Sequence, residues 1–336
     1  MNSTKQRLKN GVKVNKIISR KEESVEVNMK TKRVKPSKKM VRESISMGLL
    51  AIPGIAFLVV FNYLPMFGIV IAFEKFKPLK GIMGSEWCGF DNFKYFFASN
   101  DAFVTIRNTL LYNIAWLILG TICSVGLALM FYSVKSGKAL KVYNTVMLMP
   151  KFLSAVLLSF VVEMFLNYRY GYLNQFIENF GGNRIDWYTR VTLWPFILTI
   201  VQIWATVGVS SMIYYASLMS LDEGLLDAAR VDGANKLRQI WHVMIPHLIP
   251  IIIIQNIISI GHMFNSNLDL FYQVPQNIGL LYPATDVINT YTFRTLQAGH
   301  LARAAAVGLA QSVAGFILVV ITNEIVKKVS PENRLY

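Results

Sequence analysis

The sequence has few charged residues for its length. Asp, Glu, Lys and Arg make up 16% of its 336 residues, whereas soluble domains usually carry about 25%. Hydrophobic residues make up 54%, and the mean hydropathy is +0.41. A soluble fold of this size needs more charge to cover its surface. The composition therefore excludes a soluble protein and indicates an integral membrane protein.

Residues that carry metal, redox or catalytic chemistry are also scarce. The two cysteines, Cys88 and Cys123, provide no disulfide framework. The four histidines show no metal-ligand spacing, and no Cys/His or Ser/His/Asp set can be assembled. Gly137-Lys138 is followed by Ala139 and lacks the upstream glycine of a P-loop. We therefore expect a non-enzyme, with no catalytic residue, no metal and no cofactor of its own.

The charge that is present lies mostly at one end. Residues 1–42 contain fourteen Lys and Arg against three Glu, without a sustained hydrophobic period. No folded basic face is implied, so nucleic-acid binding is a poor interpretation. A mostly disordered tail attracted to the anionic lipids of the cytoplasmic leaflet is the better one.

Residues 43–336 form the predicted membrane domain, with six apolar runs that each reach the ~20 residues of a transmembrane helix. The runs are 47–73, 110–134, 146–166, 191–217, 243–264 and 304–323. The tail, the second and fourth loops and the C-terminus carry 24 of the 34 Lys and Arg. Because basic loops stay in the cytoplasm, both termini and the fourth loop are predicted to be cytoplasmic.

The fourth loop and its flanks, 220–245, mix charged and apolar residues in a helical pattern. Ser220 and Glu223 have the spacing of a capping box, which predicts a helix start. Gly233 permits a sharp turn that a residue with a Cβ resists. A second amphipathic run follows at Leu237, Ile240, Trp241 and Met244. The stretch therefore predicts two short cytoplasmic helices joined by a turn.

This stretch resembles the EAA loop of ABC-importer permeases. Asp227-Ala228-Ala229, Asp232-Gly233-Ala234, Ile245-Pro246 and Pro250 stand at the offsets of that motif, with Asp227 in place of the leading Glu and Ile240 in place of the usual Phe. In that family the loop is the coupling helix that docks on an ATP-hydrolysing subunit. The resemblance implies an ATPase-coupling role for Asp227, Ala228, Ala229, Asp232, Gly233, Ala234, Ile240, Ile245 and Pro246. A surface hairpin that merely links two spans is the alternative.

Four other segments resemble the polysaccharide branch of these permeases, which includes lipoprotein-associated and alginate permeases. The segments are 81–93, 149–154, 286–291 and 330–335. The resemblance implies an all-α, MetI-like fold with six transmembrane helices and a cytoplasmic coupling helix pair, in a bacterial plasma membrane. It also implies import of oligosaccharides or polysaccharide fragments. An ABC permease for an amino acid, peptide or phosphonate is the alternative. A secondary transporter is a weaker one, since no inverted repeat is found.

The same resemblance implies the partners. They are a second related permease, two ATP-binding subunits that bind the ATP, an extracytoplasmic solute-binding protein with a lipid anchor, and the membrane lipids.

Polar side chains inside the spans are candidates for a substrate path. Amides can bind sugar hydroxyls, and aromatic faces can pack on sugar C–H surfaces. Interhelical hydrogen bonds, worth about 0.6 kcal/mol per pair, are the alternative for any one of them. The candidates are Glu163, Gln202, Trp204, Gln255, Asn256, His262, Asn265 and Gln311.

The tail is predicted to be dispensable, because it lacks periodicity and lies outside the family resemblance. Deletion of residues 2–38 is expected to leave uptake unchanged in cells with matched levels of the protein in the membrane. Loss of uptake at normal abundance would contradict this prediction.

Overall fold

The computed structural model describes residues 38–329, so most of the predicted tail and the segment 330–336 lie outside it. The chain divides into two compact units, with the boundary after Phe67. The first unit contains helix α1 (Lys38–Leu58) and a π-helical turn (Val59–Tyr63). In that turn the Leu64 N–H bonds to the carbonyl of Val59, five residues back, just before Pro65 interrupts the ladder.

Helices also dominate the second unit, which begins at Gly68 within a 3₁₀ helix (Leu64–Phe73). Strands β1 (Glu74–Lys75) and β2 (Glu86–Trp87) form a short antiparallel hairpin, with Glu74 opposite Trp87. The α-helices are α2 (Gly81–Gly84), α3 (Asp91–Phe97), α4 (Asn100–Ser133), α5 (Gly137–Leu148), α6 (Ala155–Leu166), α7 (Tyr172–Asn179), α8 (Trp194–Leu218), α9 (Glu223–Val231), α10 (Lys236–Gln239), α11 (Ile245–Gly261), α12 (Leu268–Gln273), α13 (Tyr282–Thr285), α14 (Ile288–Gln297) and α15 (Leu301–Val329). Further 3₁₀ helices are Met149–Phe152, Trp187–Thr189, Val191–Leu193 and Gly279–Leu281, and a π-helical turn spans Ile240–Met244.

Five helical segments of the described chain are long and apolar enough to cross a membrane. They are Gly48–Phe73, Asn100–Ser133, Val191–Leu218, Lys236–Gly261 and Leu301–Lys327. The 34 residues of α4 extend about 51 Å at 1.5 Å per residue, so its two ends lie far apart. Counting the bent pair described next as one span gives six, and the all-α prediction is confirmed.

The predicted third span, 146–166, is not one continuous helix. It covers the end of α5, a 3₁₀ helix and α6, and the helical stretch Gly137–Phe152 meets α6 at an angle of 101°. Pro150 lies in the intervening 3₁₀ helix, and Leu153 is extended. Ser154 then starts α6 afresh, because its side chain accepts a hydrogen bond from the Leu157 N–H at 3.3 Å. Each helix has 12 residues, or about 18 Å, which is too short to cross a bilayer alone.

The long helices α4 and α8 pack against each other, and the buried core follows them. Trp194 and Leu198, at the start of α8, are fully buried beside Tyr112 and Phe271. Leu218, at its other end, belongs to a second cluster beneath the predicted coupling loop. Lipid is as apolar as these side chains, so close packing rather than exclusion of water holds such helices together.

Gly208 shows how close this packing is. A Cβ built on this α8 residue would lie 1.9 Å from the carbonyl oxygen of Met147 on α5. Small residues allow membrane helices this approach. The chain path past the bend at 149–154 therefore depends on a glycine at position 208.

Gly208→Ala is expected to destabilise the protein by about 1–3 kcal/mol, since backbone must move to admit the methyl group. The measurement is the midpoint of thermal unfolding of the purified protein in detergent. Gly126→Ala is the matched control, because its Cβ would meet nothing within 4 Å and alanine favours a helix over glycine by roughly 0.5–1 kcal/mol. Equal midpoints for both variants would contradict the close contact.

Candidate functional site

The predicted coupling loop contains a helix, but the predicted cap is wrong. Ser220 does not cap it, because its hydroxyl donates to the carbonyl of Ser217 at 2.7 Å. Helix α9 starts at Glu223, and Asp222 is its N-cap, accepting a hydrogen bond from the Gly224 N–H at 2.9 Å. Glu223 is the first helical residue, where a negative charge suits the helix dipole.

The turn at Gly233 is confirmed. Gly233 has φ +79°, a left-handed conformation that favours glycine. The N–H of Ala234 bonds to the carbonyl of Ala229 at 2.9 Å, which closes the end of α9. Asp232 is the C-cap and lies just past the helix rather than in its body. Asn235 then caps the next helix by accepting from the Arg238 N–H at 2.9 Å.

The second short helix continues into the membrane span without a break. Helix α10 leads into the π-helical turn and then into α11, so Lys236–Gly261 is one helical segment. The N–H of Ile245 bonds to the carbonyl of Ile240, five residues back. Pro246 has no N–H to donate, and the wider turn just before it accommodates the proline. The second helix of the loop and the fifth span therefore form one continuous helical segment.

The exposed face of the loop is more apolar than the sequence suggested. Val231 is 88% exposed, and Leu225, Leu237 and Trp241 are also exposed.

Asp227 pairs with Arg230 at 2.6 Å, with both side chains exposed, so it is not a free carboxylate. The remaining predicted coupling residues divide into exposed ones, which are Ala228, Asp232, Gly233 and Pro246, and half-buried ones, which are Ala229, Ala234, Ile240 and Ile245.

Three residues that hold the loop in place were not predicted. Leu226 is 4% exposed and packs in the second core cluster. The buried Gln239 amide donates to the carbonyl of Ala234 at 2.8 Å. His247 Nε2 lies 3.0 Å from the carbonyl of Ser217, which ties α11 to the end of α8. The pattern of hydrophobic residues gave no signal for either polar contact.

Helices α4, α8 and α11 enclose a polar cavity of about 330 Å³. It brings together five of the predicted path residues, namely Gln202, Gln255, Asn256, His262 and Asn265. Ser259, on the same stripe of α11 as Gln255 and His262, lines it as well. Unpredicted lining groups add hydroxyls, an amide and an aromatic face; they include Asn113, Trp116, Thr121, Ser124, Thr206, Ser210 and Tyr214. No Asp, Glu, Lys or Arg of the described chain lines it. The cavity is therefore polar, and its lining contains no carboxylate, ammonium or guanidinium group of the described residues.

The hydrogen bonds within the cavity leave some polar groups unused. Thr121 donates to the Asn256 side chain at 3.0 Å, and His262 Nδ1 lies 3.0 Å from the carbonyl of Ile258. The side-chain amides of Gln202 and Gln255 form no hydrogen bond with any described residue. These two amides are available to a ligand that offers hydroxyl groups.

Three predicted path residues lie elsewhere. Glu163 accepts a hydrogen bond from the Tyr170 hydroxyl at 3.1 Å and lines a separate cavity of about 320 Å³. That hydrogen bond raises the pKa of Tyr170. Trp204 is 42% exposed and outside the central cavity. Gln311 reaches the cavity rim indirectly, since it donates to Asn289, which in turn donates to Asn265.

Apolar spans, a polar cavity between α4, α8 and α11, and an exposed pair of short helices at one end fit a membrane transport protein. The chain belongs to the family of binding-protein-dependent transport system inner membrane components, whose model matches residues 117–331. It is thus a multi-pass permease of the inner membrane, from a family that transports rather than catalyses and works with a solute-binding protein.

The relatives and solved structures agree with this assignment. The polygalacturonan/rhamnogalacturonan transport system permease YteP of Bacillus subtilis is 31% identical over 84% of this chain and 88% of its own length. The protein LplB of the same organism is 30% identical over 84% and 89%. A chain of a bacterial ABC transporter that imports the acidic polysaccharide alginate superposes with a TM-score of 0.79 at 28% identity, covering 87% of this chain and 98% of that one.

Cysteine substitution tests the cavity in a background without Cys88 and Cys123. Gln202→Cys and Gln255→Cys are expected to react with a membrane-impermeant thiol reagent at a rate that depends on whether substrate and nucleotide are bound. Ile249→Cys is the control, because Ile249 is 47% exposed on the same helix as Gln255 and lies outside the cavity. Labelling of both glutamine positions that ignores substrate and nucleotide would show that they do not face the transport path.

Proposed function

We propose that the chain is a permease subunit of an ABC importer that translocates oligosaccharides or polysaccharide fragments. One observation carries the proposal: the amide-rich, uncharged cavity and the predicted coupling loop share a single helical segment, Lys236–Gly261. Gln255 lies on this segment in the cavity, and Trp241 lies on it at the exposed loop.

The proposed assembly contains a second related permease, two ATP-binding subunits and a lipid-anchored solute-binding protein. The ATP belongs to the ATP-binding subunits, and this chain holds no cofactor. The loop around α9 and both termini lie in the cytoplasm, in keeping with the excess of Lys and Arg on that side. The exposed Leu225, Val231 and Trp241 supply an apolar surface for a groove on an ATP-binding subunit.

The proposed mechanism follows from how the loop is anchored. Closure of the ATP-binding subunits moves α9, which is fixed to the spans by Leu226 and to α10 by the Gly233 turn. The movement is transmitted from α10 to α11, because both belong to one helical segment. The contact between His247 and the carbonyl of Ser217 then transmits it to the end of α8. Because α8 and α11 both line the cavity, their movement changes the side from which Gln202 and Gln255 are accessible.

The chemistry of the cavity suits a solute that carries many hydroxyl groups. Each hydroxyl of a sugar both donates and accepts, and the free amides of Gln202 and Gln255 do the same. Trp116 offers an aromatic face for C–H surfaces. An amino acid or a phosphonate offers few hydroxyl groups to these amides and no sugar ring to Trp116. The sugar-importing relatives support the same choice.

Substitution of Gly233 tests the coupling role. Gly233→Val is expected to strain the left-handed turn by about 1 kcal/mol or more, reducing copurification of the ATP-binding subunit and sugar-stimulated ATP hydrolysis in reconstituted membranes. A Cβ at this position would meet nothing within 4 Å, so the effect comes from the backbone alone. Gly233→Asn is the matched control, because asparagine tolerates this conformation. If the valine variant keeps wild-type docking and stimulation, the loop is not the coupling element.

The substrate class is tested with the same reconstituted complex and its binding protein. Oligosaccharides are expected to stimulate ATP hydrolysis and to be imported, whereas amino acids, peptides and phosphonates are not. Stimulation by one of those solutes, with none by any oligosaccharide, would replace the sugar assignment while leaving the ABC permease assignment intact.

A further inference from the structure

A second polar cavity lies at the end of the bundle opposite the coupling loop. It measures about 600 Å³, within the range of small-molecule sites. Asn100 and Asp101 at the first turn of α4 line it, whereas Ser133 at the last residue of α4 lines a cavity with Asp227 of the coupling loop. The length of α4 therefore separates the two cavities. If the loop is cytoplasmic, this second cavity opens on the outer side.

Two arginines line this cavity, and only one of them is neutralised. Arg294 binds both carboxylate oxygens of Asp286, and its guanidinium lies 4.0 Å from the centre of the Tyr282 ring. Asp286 is buried and also accepts from the Thr290 hydroxyl. This ion pair is a fixed part of the wall.

Arg303, the other arginine, has no such partner. Its guanidinium carbon lies 3.6 Å from the centre of the Tyr95 ring. Among the described residues it forms no ion pair and no hydrogen bond. Asp101 is an exposed carboxylate of the same cavity, but it lies beyond ion-pair distance of Arg303. Stacking occupies the face of a guanidinium and leaves its N–H edge free for a carboxylate.

The groups around Arg303 suit a sugar that carries a carboxylate. Tyr291, Thr295 and Asn100 add hydroxyl and amide groups to the lining. Burial raises the pKa of Tyr291, so its phenol stays a neutral hydrogen-bond donor. The lining has a net charge of zero, because Arg294 and Arg303 are balanced by Asp101 and Asp286. Binding of an anion therefore depends on the position of the Arg303 guanidinium and not on a net positive charge of the cavity. The central cavity has no Lys or Arg among its described lining and cannot supply this contact.

We propose that Arg303 and Tyr95 form an outer subsite that binds the carboxylate of a uronate residue in an acidic oligosaccharide. This proposal rests on the proposed function as a sugar importer, and it restricts the substrate to acidic oligosaccharides. Recognition of the charge takes place here, and the uncharged cavity between the spans then accepts the hydroxyl-bearing chain. Two of the similar proteins handle acidic polymers: one belongs to a polygalacturonan/rhamnogalacturonan transport system, and the other belongs to an importer of the acidic polysaccharide alginate.

Direct binding is the test, with the assembled complex in lipid nanodiscs and without the solute-binding protein. The probes are trigalacturonate and its fully methyl-esterified form, which differ in charge at nearly constant shape. Wild type is expected to bind trigalacturonate more tightly than the ester. Arg303→Gln is expected to weaken trigalacturonate about tenfold, as for loss of a charge-assisted hydrogen bond, and to leave the ester unchanged. Arg303→Lys should retain part of the preference.

Arg190→Gln is the matched control, since Arg190 is an exposed arginine near the start of α8 that lines neither cavity. Equal binding of the two probes by wild type overturns the subsite. Equal weakening of both probes in Arg303→Gln also overturns it, and indicates a structural role. If Arg303→Gln binds both probes as wild type does but docks the solute-binding protein more weakly, the subsite is rejected. Arg303 then belongs to the interface with the solute-binding protein. Arg303-dependent binding without import of any oligosaccharide retains the subsite and rejects the proposed function.

Discussion

Backbone hydrogen bonding inside lipid is the constraint on which the rest of this structure depends. A membrane core offers no water to an unpaired N–H or carbonyl, so spans must be helical and each interruption must be compensated locally. Pro65 and Pro246 are each preceded by a π-helical turn that takes up the lost bond. Ser154 restarts the helix that ends near Pro150. Each of these irregularities is therefore compensated by a backbone hydrogen bond or a side-chain cap within its own segment.

The same constraint determines how the loop and the cavity are connected. Because the chain passes Pro246 without a break, Lys236–Gly261 remains one helical segment that reaches from exposed Leu237 to Gln255 in the cavity. Leu226 and His247 then connect α9 and α8 to that element. Packed side chains and hydrogen bonds between rigid helices are the kind of contact through which two sites can be coupled.

Local rules account for the parts of the molecule that the sequence predicted. Gly233 was identified because a left-handed turn favours glycine, and the apolar runs were identified because lipid demands length. The bend between α5 and α6 was missed because hydropathy records how apolar a segment is, not its direction. For a related reason, the buried position of Leu226 was not predicted, and Glu163 lines a different cavity from the other candidates. Which face of a helix is buried, and which loop approaches its end, depends on partners distant in sequence.

The bend between α5 and α6 has a consequence for biogenesis. The insertion machinery recognises membrane spans by their apolar length, and residues 146–166 are long enough to be recognised as one span. Neither 12-residue helix would qualify alone, so the insertion signal belongs to the combined segment, whereas its 101° bend lies where Met147 packs closely against Gly208. Apolar length therefore governs how often the chain crosses the membrane, and contacts between helices govern the direction that it takes while crossing.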